Sequence, residues 1–223
     1  MRILVSLAAA AAALASLTSP AHAEAAALGA KGSTLTMPLA DALQALPVAD
    51  ESRTGYERSK FKHWVDADKD GCNTRNEVLL AEAVVAPEKG SRCKLSGGQW
   101  YSPYSNTYVD SPGALDIDHL VPLAESWDSG ASTWTPAERE AYANDLDEDR
   151  SLIAVTAATN RSKADQDPAE WMPPYQPYHC QYLTDWIATK LRWQLTIDNA
   201  ERNTLTQGTA SCPNQPVHIT LAR

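Results

Sequence analysis

The sequence predicts an α+β fold in which one mostly helical domain carries a β-hairpin. Apolar residues recur at helical spacing in several segments, and short runs rich in β-branched and aromatic residues read as strands. Turn residues separate two such runs within "GGQWYSPYSNTYVD". About 200 residues is an ordinary size for one domain with its own core. We therefore expect a single folded domain over residues 36–223.

The first 23 residues have the features of a secretory signal peptide. Arg2 precedes an apolar Ala/Leu run, and the triplet ending at Ala23 fits the small-x-small cleavage rule. A membrane anchor is the alternative, but polar residues and Pro20 shorten the apolar run below the ~20 residues that span a bilayer. We expect residues 1–23 to be removed and residues 24–35 to form a disordered lead-in. The mature protein is then secreted, to the medium or a periplasm, as a monomer without membrane attachment.

The elements of the domain follow from spacing and from end signals. Helical spacing predicts helices in residues 37–46, 54–65 and 78–85, and the hairpin follows in residues 97–110. A capping box at Thr135 starts a helix that runs to about Asp145. The remaining predicted elements are strands in 115–123 and 151–156, a helix in 157–165, a helix in 182–195 and a last helix capped near 198–201.

Charge and cysteine content limit the chemistry. The formal net charge is −9, so the surface as a whole cannot hold nucleic acid by neutralising phosphates, and an anionic substrate needs a local basic patch or metal ions. An even number of cysteines in an exported chain predicts two disulfides. Three pairings are formally open, and we expect Cys72 with Cys93 and Cys180 with Cys212 because each closes a local loop. Zinc is the competing use, but no recognised ligand spacing is present.

The stretch "DADKDGCNTRNE" is a candidate calcium loop. It matches the EF-hand pattern at Asp66, Asp68, Asp70, Gly71 and Glu77, with helical patterns predicted on both sides. A solvated acidic loop is the alternative, since the motif is single and a cysteine lies inside it. A structural Ca²⁺ ion is therefore one expected cofactor.

The run "LDIDHLVPL" places ionisable groups inside a predicted buried strand. Asp116, Asp118 and His119 lie among aliphatic residues, and an unpaired buried charge costs several kcal/mol. The second strand and its helix follow about forty residues later and carry Asn160. A divalent cation held between these elements would supply the missing partner. The non-functional alternative is a structural turn in which the histidine forms a salt bridge.

The order D-x-D-H-x-x-P followed by N-R-x-K resembles the HNH endonucleases of the ββα-metal class. It looks like the HNH domain of RNA-guided CRISPR nucleases and is similar to a group of exported bacterial HNH-family proteins. The likeness covers residues 116–168, and for the exported group it extends back over residues 55–75. The resemblance implies a ββα-metal core within the helical domain.

The resemblance also assigns roles to individual residues. His119 would be the general base that deprotonates water, a role suited to a neutral imidazole. Asp118 and Asn160 would hold one divalent cation, with Mg²⁺ expected from the hard oxygen ligands. Asp116 would orient His119 or a water on the ion.

Three further residues complete the predicted site. Arg161 and Lys163 flank Asn160 and would hold substrate phosphates. The middle Asn of the family pattern is missing from its usual place before the second strand, and Asn144 is the candidate that could fill this role.

The function predicted from these residues is a secreted, metal-dependent endonuclease. It would hydrolyse phosphodiesters of DNA, with RNA as the second polymer, to 5′-phosphate products. One alternative is a non-enzymatic, calcium-stabilised secreted binding module. Another is a phosphohydrolase that acts on a small phosphodiester.

Overall fold

The computed structural model describes residues 28–223, and the predicted signal peptide, residues 1–23, lies outside them. Seven α-helices and nine short strands form within the described residues. In chain order they are β1 (Thr34–Pro38), α1 (Leu39–Ala45), α2 (Thr74–Ala81), β2 (Ala83–Val85), β3 (Glu88–Lys89), β4 (Leu95–Ser96), β5 (Gln99–Ser102), β6 (Thr107–Val109), β7 (Leu115–His119), α3 (Leu123–Asp128), α4 (Pro136–Ala143), β8 (Leu152–Thr156), α5 (Ala157–Lys163), α6 (His179–Arg192), α7 (Asn199–Thr209) and β9 (Pro216–Thr220).

The strands form small antiparallel sheets between the helices. β1 pairs with β9, so the two ends of the described chain lie side by side. β2, β5 and β6 form a three-stranded sheet, while β3 pairs with β4 and β7 pairs with β8. Antiparallel sheets set apart from the helices agree with the predicted α+β class.

The antiparallel pair of β7 and β8 lies between two hydrophobic cores. The main core surrounds α6, whose Trp186 and Ile187 are fully buried, and it includes Val155 of β8. A smaller core joins α2 to Trp100 of β5 and to Ile117 of β7. Because both cores pack against this strand pair, the polar residues on β7 lie on a rigid support.

Most predicted elements form where the sequence placed them. The hairpin in 97–110 is β5 and β6, and the strand in 151–156 is β8. The strand predicted over 115–123 forms only as β7, which ends at His119, and α3 begins at Leu123. Thr135 and Glu138 form the predicted capping box of α4, and Asp198 caps α7. The structure also pairs Cys72 with Cys93 and Cys180 with Cys212, as expected.

The helix predicted for residues 54–65 is wrong. A single 3₁₀ turn forms at Arg58–Lys60, and the backbone has positive φ angles at Gly55 and Trp64, which a helix does not accept. The backbone N–H of Val65 is satisfied by a distant side chain, at 3.1 Å from Asn144 Oδ1, instead of by a helical carbonyl. Tertiary contacts therefore overrode the helical spacing.

Other element boundaries also differ from the prediction. The helix expected over 78–85 is α2, which ends at Ala81, because the next residues pair with β5 as β2. The lead-in expected to be disordered over 24–35 already contains the start of β1 at Thr34, which β9 holds in register. Across residues 28–223, no helix combines the length and the apolar character that crossing a bilayer requires.

Candidate active site

Strands β7 and β8 and helix α5 form one ββα unit. In the antiparallel register Asp118 lies opposite Ile153 and His119 opposite Leu152. α5 follows β8 without a loop and packs on both strands. The chain thus brings β7 and Asn160 of α5 together, as the sequence predicts.

A cleft of about 280 Å³ opens at this unit. Its polar lining consists of Arg58, Asp118, His119, Asn160, Arg161 and Asp165. Neighbours on an ideal strand point to opposite faces. Asp118 and His119 nevertheless line the same cleft, and His119 is the last residue of β7, where the ladder ends. The ladder end thus resolves the geometric difficulty of two adjacent site residues.

The imidazole of His119 is buried and held in one orientation. Its Nε2 lies 3.0 Å from the carbonyl oxygen of Ala143. Since a carbonyl can only accept, Nε2 carries the proton and Nδ1 has the free lone pair. The rings of Trp64 and Tyr142 stack near it at centroid distances of 5.4 and 6.4 Å. This environment fixes both the ring plane and the tautomer.

The charge state of His119 follows from its surroundings. Burial lowers the pKa of His119 to about 3, and the positive charge of Arg58 acts in the same direction, while the contact with the Ala143 carbonyl opposes them. The imidazole is therefore neutral at physiological pH. A neutral ring with a free Nδ1 is the form that can accept a proton.

Asp118 has a buried ion-pair partner that the sequence analysis assigned elsewhere. Its Oδ2 accepts hydrogen bonds from Lys163 Nζ and from the Tyr104 hydroxyl, both at 2.6 Å. Lys163 is completely buried and also donates to the carbonyls of His119 and Leu120. With all three of its donors used inside the protein, Lys163 cannot hold a substrate phosphate, and that prediction is corrected. Its role is to orient Asp118 and the end of β7.

Asn160 and Asp116 contact each other at the mouth of the cleft. Asn160 Nδ2 donates to Asp116 Oδ2 over 3.3 Å, and Arg161 Nε lies 3.5 Å from the same oxygen. Arg161 is largely exposed, with 76% of its side chain accessible. Asp116 thus lies beside the site and orients the amide, while Arg161 is free to reach a ligand.

The donor set fits a hard divalent cation. Within residues 28–223, Asp118 Oδ1 and Asn160 Oδ1 accept no hydrogen bond from the protein, whereas the other polar atoms of these side chains are used. Both residues line the cleft. Carboxylate and amide oxygens are the ligands that Mg²⁺ prefers. The two residues named from the sequence could therefore hold the ion.

Asn144 fastens the segment that orients His119. Its Oδ1 accepts from the Val65 N–H and the Thr74 hydroxyl, at 3.1 and 2.7 Å. Its Nδ2 donates to the carbonyls of Lys62 and Glu140, at 2.8 and 2.7 Å. Because Asn144 caps α4 directly after Ala143, these bonds fix the carbonyl that contacts the histidine. Asn144 acts through position and does not line the cleft.

Arg58 is a cleft residue that the sequence analysis missed. It lies on the 3₁₀ turn, is exposed, and forms no ion pair with any residue in 28–223. The signal available in the sequence was its place within "GYERSKFK", inside the stretch that resembles exported HNH proteins. A helix was assigned there, so the side chain was not placed near His119.

A larger cavity of about 520 Å³ is less suited to an anionic substrate. Among its lining residues are Glu82, Glu148, Asp149 and Asp185, and the cation present is Arg150. Arg150 Nε is already paired with Glu148 at 2.6 Å. Excess negative charge would repel phosphates, so the smaller cleft is the better candidate.

The acidic loop has the compact shape of an ion-binding loop. Carboxylate oxygens of Asp66, Asp68 and Asp70 lie within 4.8 Å of one another. Glu77 Oε1 is buried without a hydrogen-bond partner, and the neighbouring aspartates and burial raise the pKa of Glu77. The predicted entering helix is absent, while α2 begins at Thr74 as an exiting helix should. Half of the expected EF-hand frame is thus present.

The cleft and its ββα unit lie within a stretch that matches a known family. Residues 73–207 match the family described as GmrSD restriction endonucleases, C-terminal domain, which covers more than half of the chain. The chain belongs to this family. The GmrSD C-terminal match includes β7, β8 and α5. It begins at residue 73, after Arg58 and the three loop aspartates.

One relative of this GmrSD-family chain is a fungal protein. An uncharacterized secreted protein of Arthroderma benhamiae is 41% identical over 158 residues, which is 71% of this chain and 76% of the relative. No solved structure matches the chain. Together with the two disulfides, the relative confirms that this GmrSD-family protein is secreted. Its fungal source gives no support to a purely bacterial grouping, while the family name supports a nuclease role.

Proposed function

We propose that this GmrSD-family protein is a secreted, metal-dependent endonuclease with a ββα-metal (HNH) site. The substrate is DNA, RNA is the alternative polymer substrate, and the products carry 5′-phosphates. The observation that carries the proposal is the position of His119. A neutral imidazole of fixed tautomer lines the same cleft as two unpaired oxygen ligands, Asp118 Oδ1 and Asn160 Oδ1.

In the proposed reaction, His119 Nδ1 takes a proton from water as the water oxygen forms a bond to phosphorus. The bond from phosphorus to the 3′ oxygen breaks, and that oxygen receives a proton from solvent. The fixed Nε2 contact with Ala143 keeps Nδ1 available throughout. General-base action of this kind contributes about 10²–10⁴ in rate.

Other side chains position the substrate. Arg161 and Arg58 are exposed cations at the cleft and would pair with phosphate oxygens on each side of the scissile bond. Lys163 and Tyr104 hold Asp118 in place. A bound Mg²⁺, held by Asp118 and Asn160, would supply positive charge that offsets the growing charge on the phosphate and the departing oxygen. This local charge would let an acidic protein act on an acidic polymer.

Supercoiled plasmid and single-stranded RNA, incubated with the disulfide-intact protein in Mg²⁺ or in EDTA, test the proposal. We expect cleavage in Mg²⁺ and none in EDTA. For His119→Ala we expect the cleavage rate in Mg²⁺ to fall by about 10²–10⁴. His218→Ala is the matched control, because that histidine is exposed on β9. Equal cleavage by both folded variants would remove His119 from the mechanism. No cleavage of either polymer, with turnover of bis(p-nitrophenyl) phosphate, would favour the small-phosphodiester alternative.

We also propose that the loop of Asp66, Asp68, Asp70 and Glu77 binds a structural Ca²⁺ ion. The convergent carboxylates and the unpartnered Glu77 oxygen support this site. The ion would stabilise the fold and take no part in cleavage. If no polymer or small phosphodiester is cleaved, calcium binding alone would leave the secreted binding module as the function.

A further inference from the structure

A second acidic pocket lies away from both sites discussed above. Glu51 lies in the irregular segment after α1, while Glu125 and Asp128 lie on α3. Carboxylate oxygens of these three residues come within 4.8 Å of one another. Glu51 also belongs to a second group at the same spacing, which includes Asp167, Asp198 and Glu201.

The pocket holds more negative than positive charge. Lys190 Nζ pairs with Glu125 at 2.6 Å and with Glu201 at 3.1 Å, and Arg53 Nε pairs with Asp128 at 2.6 Å. These are the cations that ion-pair with the six carboxylates in the described part of the chain. Full ionisation would leave four negative charges uncompensated around largely buried groups. Such an excess calls either for protons or for a bound cation.

Among the described residues, one buried oxygen in the pocket lacks a hydrogen-bond partner, and the exposed carboxylate of Glu51 beside it is unpaired. The Asp128 side chain is 5% exposed, and its Oδ1 is buried without a hydrogen-bond partner although Oδ2 is paired. Glu51, common to both groups, forms no side-chain hydrogen bond or ion pair with residues 28–223. A buried carboxylate oxygen without a hydrogen-bond partner destabilises the fold unless a ligand satisfies it. The unused oxygens of Asp128 and Glu51 are free for a ligand.

We infer that this acidic pocket binds Ca²⁺ through Glu51 and the carboxylates around it. All candidate donors are oxygens, which excludes a preference for zinc or copper, and Ca²⁺ accepts the irregular, many-oxygen shells that Mg²⁺ avoids. The converging carboxylates and the unpartnered Asp128 Oδ1 are the observations that support this site.

The ion would tie the irregular segment after α1 to the helical core. The Ser52 N–H donates to the Asp128 carbonyl over 3.3 Å, so the Glu51 segment already lies against the end of α3. The same segment continues to Arg58 at the cleft. Calcium in the acidic pocket therefore stabilises the fold whether or not the protein is a nuclease.

Calorimetric Ca²⁺ titration and thermal melting test the inference in the full chain, with the loop disabled by Asp68→Ala and Glu77→Ala. With Mg²⁺ present to occupy the Asp118–Asn160 site, we expect one remaining Ca²⁺ per chain and a Ca²⁺-dependent rise in Tm. Adding Glu51→Gln should weaken binding at least about tenfold, by analogy with loss of supporting groups at metal sites. In EDTA the same change should raise Tm, because it removes a repelled carboxylate. Glu57→Gln, an exposed neighbour, is the matched control.

Three outcomes would overturn the acidic-pocket site. The first concerns the loop-disabled protein: it binds no Ca²⁺, and its Tm in EDTA rises as the pH falls from 8 to 6. Protons would then neutralise the excess negative charge of the pocket. The second is Ca²⁺ affinity that is equal in the Glu51→Gln and Glu57→Gln variants. If Glu51→Gln does not fold, Asp167→Asn is compared with Glu57→Gln instead. The third outcome is a Ca²⁺ affinity that Asp167→Asn leaves unchanged.

Discussion

His119 Nε2 lies 3.0 Å from the carbonyl oxygen of Ala143, the last residue of α4. This single contact joins the end of β7 to a helix 24 residues further along the chain. It determines which imidazole nitrogen carries the proton, and it depends on the backbone position just before Asn144. Residues that hold this backbone therefore control a group they do not touch.

Replacing Asn144 by Ala should weaken both the fold and the proposed reaction. The variant loses four side-chain hydrogen bonds, which join the end of α4 to Lys62, Val65 and Thr74 and back to Glu140 of α4 itself. We expect a loss of roughly 2–4 kcal/mol in the free energy of unfolding. Urea denaturation measures this loss, and cleavage rates are compared where both proteins are folded. Asn203→Ala, on an exposed face of α7, is the control. Wild-type stability for Asn144→Ala would contradict the fastening role.

Lys163 and Arg161 should give opposite phenotypes although they are two residues apart. Lys163→Met leaves Asp118 buried without its cation, and we expect about 3–5 kcal/mol of destabilisation. Arg161→Ala removes an exposed side chain, so the fold should remain while the KM for nucleic acid rises. Denaturation curves and steady-state kinetics separate the two effects. A stable Lys163→Met protein with raised KM alone would restore Lys163 as a phosphate ligand.

Calcium at the acidic loop should change stability and leave cleavage alone. In the Glu51→Gln background, Ca²⁺ at ten times its Kd should add about 1.4 kcal/mol to the free energy of unfolding. Asp68→Ala should remove this gain, because its carboxylate is one of three converging at the loop. Melting curves with and without Ca²⁺ give the comparison. A gain that survives Asp68→Ala and Glu77→Ala together would place the ion outside the loop.

Glu82 should make the fold less stable as the pH rises. Burial raises the pKa of Glu82 to about 7, above its ordinary value of 4.5, although the N–H of Ala154 donates to it. The folded state then binds more protons than the unfolded state between these values, so stability falls as the pH increases from about 4.5 to 7. Glu82→Gln should make this slope shallower by the contribution of Glu82 and gain roughly 1–3 kcal/mol at pH 8. Denaturation at pH 5 and 8 measures both effects, and an unchanged slope would contradict the assignment.

The elements with strong local signals formed where they were predicted. The capping box at Thr135, the strand "LDIDH" and the sequential disulfides depend on residues close in the chain, so nearby sequence suffices. The helix expected over 54–65 failed because its backbone groups bond to Asn144, a residue distant in sequence. Spacing alone carries no information about such a partner.

The same distinction between local sequence and tertiary contacts applies to the candidate site. The sequence alone determined which residue types meet, because the pattern around Asp118 and His119 and the later Asn160 share one ββα arrangement. Only the tertiary structure decided their roles: it buried Lys163 against Asp118, set the tautomer of His119 through Ala143, and brought Arg58 to the cleft. The physical reason is that charge, burial and hydrogen bonding depend on distances between groups far apart in the chain, which no local pattern records.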